Sequence, residues 1–199
     1  MILPILTRSA ALAVTAILLV SCSSGSSSYS GPPRNQSDIC AIFAERPDWR
    51  DAVEDSAAKW GAPVPVQMAI IWRESGFRSS VRPPKKYTLG FIPTGHISSA
   101  YGFAQAIDGT WDWYRRDTGN SGADRTDWED ATDFVGWYMH KSRSSNGIGM
   151  HDAYNQYLAY HEGHAGHRLG TYNKKAWLVD VAQKVAGRAA QYRGQLRRC

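Results

Sequence analysis

Almost nothing in this chain alternates apolar and polar residues at the two-residue period of a strand, which argues against a sandwich or barrel. Cysteine is scarce: three in 199 residues, with no closely spaced pair to hold a structural zinc. The apolar run at residues 10–20 is too short to cross a bilayer, which takes about 20 residues. A phosphate-binding loop, a Ser-His-Asp arrangement and a nucleic-acid motif are all missing, so no nucleic-acid partner and no cofactor are expected.

What the chain does have is helical spacing and many aromatics. Trp49, Val53, Ser56 and Trp60 recur at helical intervals after Pro47-Asp48 and stop at Gly61. Residues 65–74 form the next helix, opened by Pro65 and closed by Gly76. Asp108 is placed to cap residues 110–116, with Gly119 beyond their end. Thr126-Asp127-Trp128-Glu129 has the pattern of a capping box for a helix running toward Lys141. Asp152 is placed to cap a helix carrying Tyr154, Tyr157, Leu158 and Tyr160. Leu178, Val181, Val185, Ala189, Tyr192 and Leu196 mark a long amphipathic helix. The expected class is mainly α. Eight tryptophans and ten tyrosines serve either a core or a sugar-binding groove, and composition does not separate the two uses.

Charge is unevenly spread. The formal net charge is +5, yet residues 174–199 hold seven Lys/Arg against one acid, Asp180, which leaves the preceding part of the domain mildly acidic. A solvated helix face is the simplest use of that basic tail. Residues 78–98 break the helical pattern with Pro83-Pro84, Gly90, Pro93 and Gly95. Tyr87-Thr88-Leu89-Gly90-Phe91-Ile92 within it has the makings of a short β-hairpin. Arg78, Arg82, Lys85 and Lys86 make the stretch positive, suited equally to a solvated loop or to facing an anionic polymer.

Glu74 is the foremost candidate for chemistry. It ends the apolar run Ile70-Ile71-Trp72-Arg73-Glu74 and sits in the last turn of its helix, the pole least favourable to negative charge. Desolvation and the dipole both favour the protonated carboxyl near neutrality, the state a general acid needs. Two segments follow: Ser98-Ser99-Ala100-Tyr101-Gly102-Phe103-Ala104-Gln105-Ala106, and Tyr157-Leu158-Ala159-Tyr160-His161-Glu162-Gly163. The order Glu-Ser-x-Phe, Ala-x-Gly-x-x-Gln, Ala-Tyr-x-x-Gly resembles the soluble lytic transglycosylase (SLT) domain, a relative of goose-type lysozyme. The resemblance covers roughly residues 45–175 and implies a lysozyme-like fold, with residues 78–98 as an insertion between the first two motifs.

The resemblance implies cleavage of peptidoglycan glycan strands between N-acetylmuramic acid and N-acetylglucosamine, without water, by one glutamate. Glu74 would be that residue, first acid and then base. Gly102, Phe103 and Gln105 would line the groove with Ser99 nearby, and Tyr160 would orient the acid or the sugar. The third motif departs from the common Tyr-Asn-Ala-Gly, reading Tyr160-His161-Glu162-Gly163. Glu162 either faces Glu74 or points outward. His161, His164 and His167 lack the His-Glu-x-x-His spacing, and no metal is expected. Two rivals stay open. One is a lysozyme-like hydrolase using Asp108, Asp112 or Glu162 to activate water; the other is a non-catalytic lipoprotein that binds the wall.

Arg8, the apolar run and Leu19-Val20-Ser21-Cys22 resemble a bacterial lipoprotein signal, residues 1–21, cleaved before a lipidated Cys22. No aspartate follows Cys22, which by the same resemblance implies the outer membrane, facing the periplasm. Residues 22–37 are rich in Ser, Gly and Pro and read as a flexible tether, leaving residues 38–199 as the catalytic domain. Cys40 and Cys199 bracket that domain, and in an oxidising compartment a disulfide between them would pin its ends together.

Overall fold

The computed structural model describes residues 31–199, so the expectations for the signal segment, Cys22 and residues 23–30 lie outside the described residues. Among the described residues seven helices run in order: α1 (Ile39–Glu45), α2 (Pro47–Trp60), α3 (Val64–Ser75), α4 (Asp108–Thr118), α5 (Trp128–Asn146), α6 (Ala153–Arg168) and α7 (Ala176–Leu196). A hairpin, β1 (Lys85–Thr88) and β2 (Ile92–His96), stands between α3 and α4, and a single 3₁₀ turn, Thr171–Lys174, joins α6 to α7. The class is mainly α, as the spacing and the resemblance imply.

The departures are local. Helix α1 has no counterpart in the apolar spacing; Asp38 caps it by accepting the Cys40 N–H at 3.0 Å. Asp108 does not cap α4. It lies inside the helix with its carboxylate drawn to Arg125 at 2.6 Å, and the Ser99 hydroxyl accepts the Asp108 N–H instead. In α5 the cap is Asp127, which accepts from the Asp130 N–H at 3.0 Å, because Thr126 turns back to Asp124. Asp152 caps α6 as expected. Residues 31–37 pack on the body: the Gln36 carbonyl accepts from the Tyr192 hydroxyl at 2.5 Å, and that of Ser37 from Gln191 and Gln195. The folded body thus starts earlier than the composition of residues 22–37 suggests.

Helix α3 is the spine that delivers Glu74. Its residues 65–71 are all buried, with α2, α5 and α7 packed around it. Gln67, fully buried among them, donates to the Ala62 carbonyl at 2.8 Å and accepts from the Ser56 hydroxyl at 2.9 Å, so no polar atom of its amide is stranded. Helices α2 and α5 approach closely at Gly136, where a Cβ would stand 2.4 Å from Ser56 Oγ and 2.8 Å from Trp60 Cδ1.

Most of the aromatic content turns out to be core. Trp49 and Trp128 stack at 3.9 Å between ring centroids, with Phe77 and Phe103 packed around them. Two of the buried indole N–H groups find oxygen: Trp128 donates to the Trp49 carbonyl and Trp137 to Asp117. Among the tryptophans Trp177 is the exposed one, at 55%. The basic tail is less idle than a solvated face, since Lys175 pairs with Glu162 and Arg188 stacks on Trp72.

The disulfide joins Cys40 to Cys199 with Cα atoms 5.8 Å apart. The hairpin projects from the body: every residue of both strands is exposed, as are Leu89 and Phe91 at its tip. Its root is fixed, because Ile97 N–H donates to the Pro84 carbonyl and Gly102 N–H to that of Val81.

Candidate active site

Where α3 ends, Gly76 takes a left-handed conformation (φ 59°) and the chain turns away, leaving Glu74 at the floor of a cavity of about 430 Å³. The 98–107 loop, the start of α4, Phe134 and Tyr138 of α5, and residues 160–163 of α6 complete the walls. Burial pushes the Glu74 carboxyl up to about 7, against the opposing pull of a hydrogen bond from Tyr157 and the charge of Arg73. A carboxyl in that range exists in both protonation states near neutrality, so it can give a proton and take one back.

Tyr157, which the motif order does not single out, bears on the Glu74 carboxyl. Its hydroxyl donates to the carboxylate and in turn interacts with Arg73. Tyr160, the residue assigned by resemblance to orient the acid, sends its hydroxyl to the Ala104 carbonyl at 2.5 Å. It still lines the cavity close enough for the Glu74 charge to raise its own proton affinity. The two tyrosines are three residues apart and share one face of α6, a spacing that would have put both on the candidate list.

The second motif builds the cavity without presenting all of its named residues to it. Gln105 lines the wall, while its amide nitrogen donates to the Val81 and Gly102 carbonyls, both at 2.9 Å. Gly102 does not line the cavity; a Cβ there would stand 2.0 Å from the Arg125 carbonyl oxygen, and the backbone has φ 79°. Phe103 is 5% exposed and points into the Trp49–Trp128 stack, so it belongs to the core rather than the groove. Ser99 is occupied with the α4 N-terminus, and its neighbours Ser98 and Ala100 are the ones that face the cavity. Arg125 ties the loop down, donating to the carbonyls of Ser99 and Ala106.

Glu162 does line the cavity, but its carboxylate is taken. Burial would raise its pKa, yet hydrogen bonds from Lys175, Thr171 and His161 outweigh that and bring it down to about 2. Gly163 breaks the helix at this point (φ 74°, ψ 162°), which turns residues 160–163 toward the cavity. Asp108 and Asp112 line a different recess on the far side of the 98–111 stretch. His161, His164 and His167 go to separate partners: Glu162, Ser142, and the pair Asn146 and Asn155. Among the described residues no group of three or more His, Cys, Asp or Glu side chains is placed to hold a metal ion.

The cavity can therefore do proton chemistry with one carboxyl and offers polar walls to a sugar. No curated protein matches the chain. A family model described as a transglycosylase SLT domain matches residues 10–199, nearly the whole length, and spans the residues that build this cavity. The chain belongs to the transglycosylase SLT domain family.

Proposed function

We propose that this domain is a peptidoglycan lytic transglycosylase that cuts the β-1,4 bond between N-acetylmuramic acid and N-acetylglucosamine, with Glu74 as acid and then base. The observation that carries the reading is the asymmetry among carboxyls: Glu74 is raised to about 7, while Glu162 is held ionised by three partners. Most glycosidases need a second carboxylate near the bond. Here the substrate would supply that function. Glu74 gives its proton to the glycosidic oxygen and the C1–O bond breaks, releasing the N-acetylglucosamine side with a free hydroxyl. The carbonyl oxygen of the C2 acetamido group bonds to C1 and carries the positive charge. Glu74, now a carboxylate, takes the proton of the C6 hydroxyl, and O6 displaces the acetamido oxygen at C1. A 1,6-anhydro sugar leaves, Glu74 is reprotonated, and no water is consumed.

Digestion of purified sacculi is the test. The parent protein is expected to release anhydro-muropeptides, lighter by one water than hydrolysis products. Glu74→Gln is expected to lose activity by more than the roughly 10²–10⁴-fold typical of one general acid, since one group serves both steps, with its circular dichroism unchanged. Free reducing ends in the parent digest would make it a hydrolase. No cleavage at all would make it a wall-binding protein.

For its location, we infer that Cys22 is lipidated and holds the domain at the periplasmic face of the outer membrane, on the strength of Leu19-Val20-Ser21-Cys22 and the Ser after it. Several acyl chains on one cysteine would anchor it stably. Mass spectrometry of membrane-extracted protein is expected to find a diacylglyceryl cysteine as the first residue; an unmodified soluble form starting elsewhere would refute it.

A further inference from the structure

On the other side of the wall that Glu74 faces lies a second recess of about 380 Å³. Successive residues of one stretch alternate between the two: Ala100, Ile107 and Thr110 line the Glu74 cavity, and Tyr101, Asp108 and Trp111 line the recess. The recess also holds three guanidinium groups and two further carboxylates, those of Asp112 and Asp124. Several of these charges are already committed. Arg125 is bonded to Asp108 at 2.6 Å and to two carbonyls. Asp124 accepts from the N–H and the hydroxyl of Thr126, which together hold its carboxyl low.

Two arginines are left with capacity. Arg82 stands over the face of the Tyr101 ring, its guanidinium carbon 3.7 Å from the ring centroid, and is exposed. A guanidinium placed this way keeps its N–H edges free, already oriented for a planar anion. Arg115 donates to the Ser121 carbonyl and stands 3.9 Å from Asp112, beyond hydrogen-bond length, while its Nε is buried with no hydrogen-bond partner. The chain between Glu74 and Asp108, which includes the hairpin, carries Arg78, Arg82, Lys85 and Lys86 and no acidic residue.

We propose that this recess is a carboxylate-binding subsite, with Arg82 as its principal contact, for the peptide branch that peptidoglycan carries on its muramic acid residues. The proposal rests on the function given above. With the glycan in the Glu74 cavity, a peptide leaving the muramic acid ring over the shared wall would reach the recess. Its carboxylates match the planar fork of Arg82, and Arg115 supplies a second donor.

The test compares full-length protein and Arg82→Ala on two substrates: peptide-bearing glycan strands, and the same strands stripped by an amidase. On peptide-bearing strands Arg82→Ala is expected to raise KM about tenfold, the size of one charge-assisted contact, with kcat kept. On stripped strands parent and variant should match. Arg82→Lys keeps the charge and loses the fork, and is expected to recover less than half of the loss. Titration of a free stem peptide into the parent, followed calorimetrically, should give saturable binding that a peptide with every carboxylate amidated lacks. An equal KM change on both substrates, no change on either, or equal binding of the amidated peptide would overturn the subsite. Failure of the parent to cleave either substrate would sink the transglycosylase reading instead, and the calorimetry would still judge the recess.

Discussion

Glu74 owes its raised proton affinity to desolvation at the end of a helix whose residues 65–71 are buried, and Tyr157 keeps that rise in bounds. The Tyr157 hydroxyl donates to the carboxylate, so it stabilises the charged form and lowers the pKa from where burial alone would put it. Tyr157→Phe removes the donor and keeps the ring. The acid is active when protonated, so the rate should fall as pH rises through about 7 in the parent. In Tyr157→Phe that falling limb is expected to move to higher pH by up to about one unit, the scale of a single hydrogen bond, with a lower plateau because the carboxyl is no longer held in one orientation. A pH–rate series on soluble glycan strands checks both points; an unmoved limb would mean that Tyr157 does not bear on Glu74. Tyr160→Phe makes the contrast, since its hydroxyl is bonded to the Ala104 carbonyl rather than to the acid.

Two elements shape the entrance. Helix α6 bends at Gly163, and the bend brings Tyr160, His161 and Glu162 to the cavity wall while Lys175 and Thr171 fasten Glu162 from the C-terminal side. The departure from the usual third motif thereby costs the site nothing in free carboxylates: Glu162 is a strut between α6 and the start of α7. The hairpin β1–β2 is the opposite kind of element, held only at its root and contributing nothing to the core. Replacing residues 86–94 by a two-glycine turn is expected to leave stability within about 0.5 kcal/mol, as exposed changes generally do. Thermal unfolding measures it, and a large loss of stability would show that the hairpin does pack on the body. Its position was legible from Pro83-Pro84 and Gly90, because turn formers mark breaks whatever surrounds them. The caps of α4 and α5 were less so. Asp108 and Thr126 are sound capping residues whose side chains are claimed by Arg125 and Asp124, partners supplied by other parts of the chain.

Across the whole molecule, α7 returns to the start of the domain and is stitched to it. Ile39 N–H donates to the Gln195 side chain, Arg50 to the Cys199 carbonyl, and the disulfide from Cys40 to Cys199 closes the circuit. The sequence separation of 159 puts the chain-entropy ceiling near 5 kcal/mol, a figure that the surrounding hydrogen bonds will reduce in practice. Cys199→Ser is expected to lower the melting temperature by several degrees and to leave turnover at 25 °C largely intact, since neither sulfur is near the cavity. Equal melting temperatures with and without reductant would refute a stabilising bridge. By itself the sequence determined the helical class, the glycine stops after Trp60, Ser75 and Thr118, and the place of Glu74 in a last turn, because periodicity and turn chemistry act over a few residues. It also placed the cysteine pair at the domain borders. Only the tertiary structure decided which motif residues face the cavity. Phe103 was drawn into the Trp49–Trp128 stack, Tyr157 rather than Tyr160 bore on the acid, and Glu162 was tied up as an ion pair with Lys175. Those outcomes depend on side chains far apart in the chain competing for the same space and the same protons, and short-range pattern carries no record of that competition.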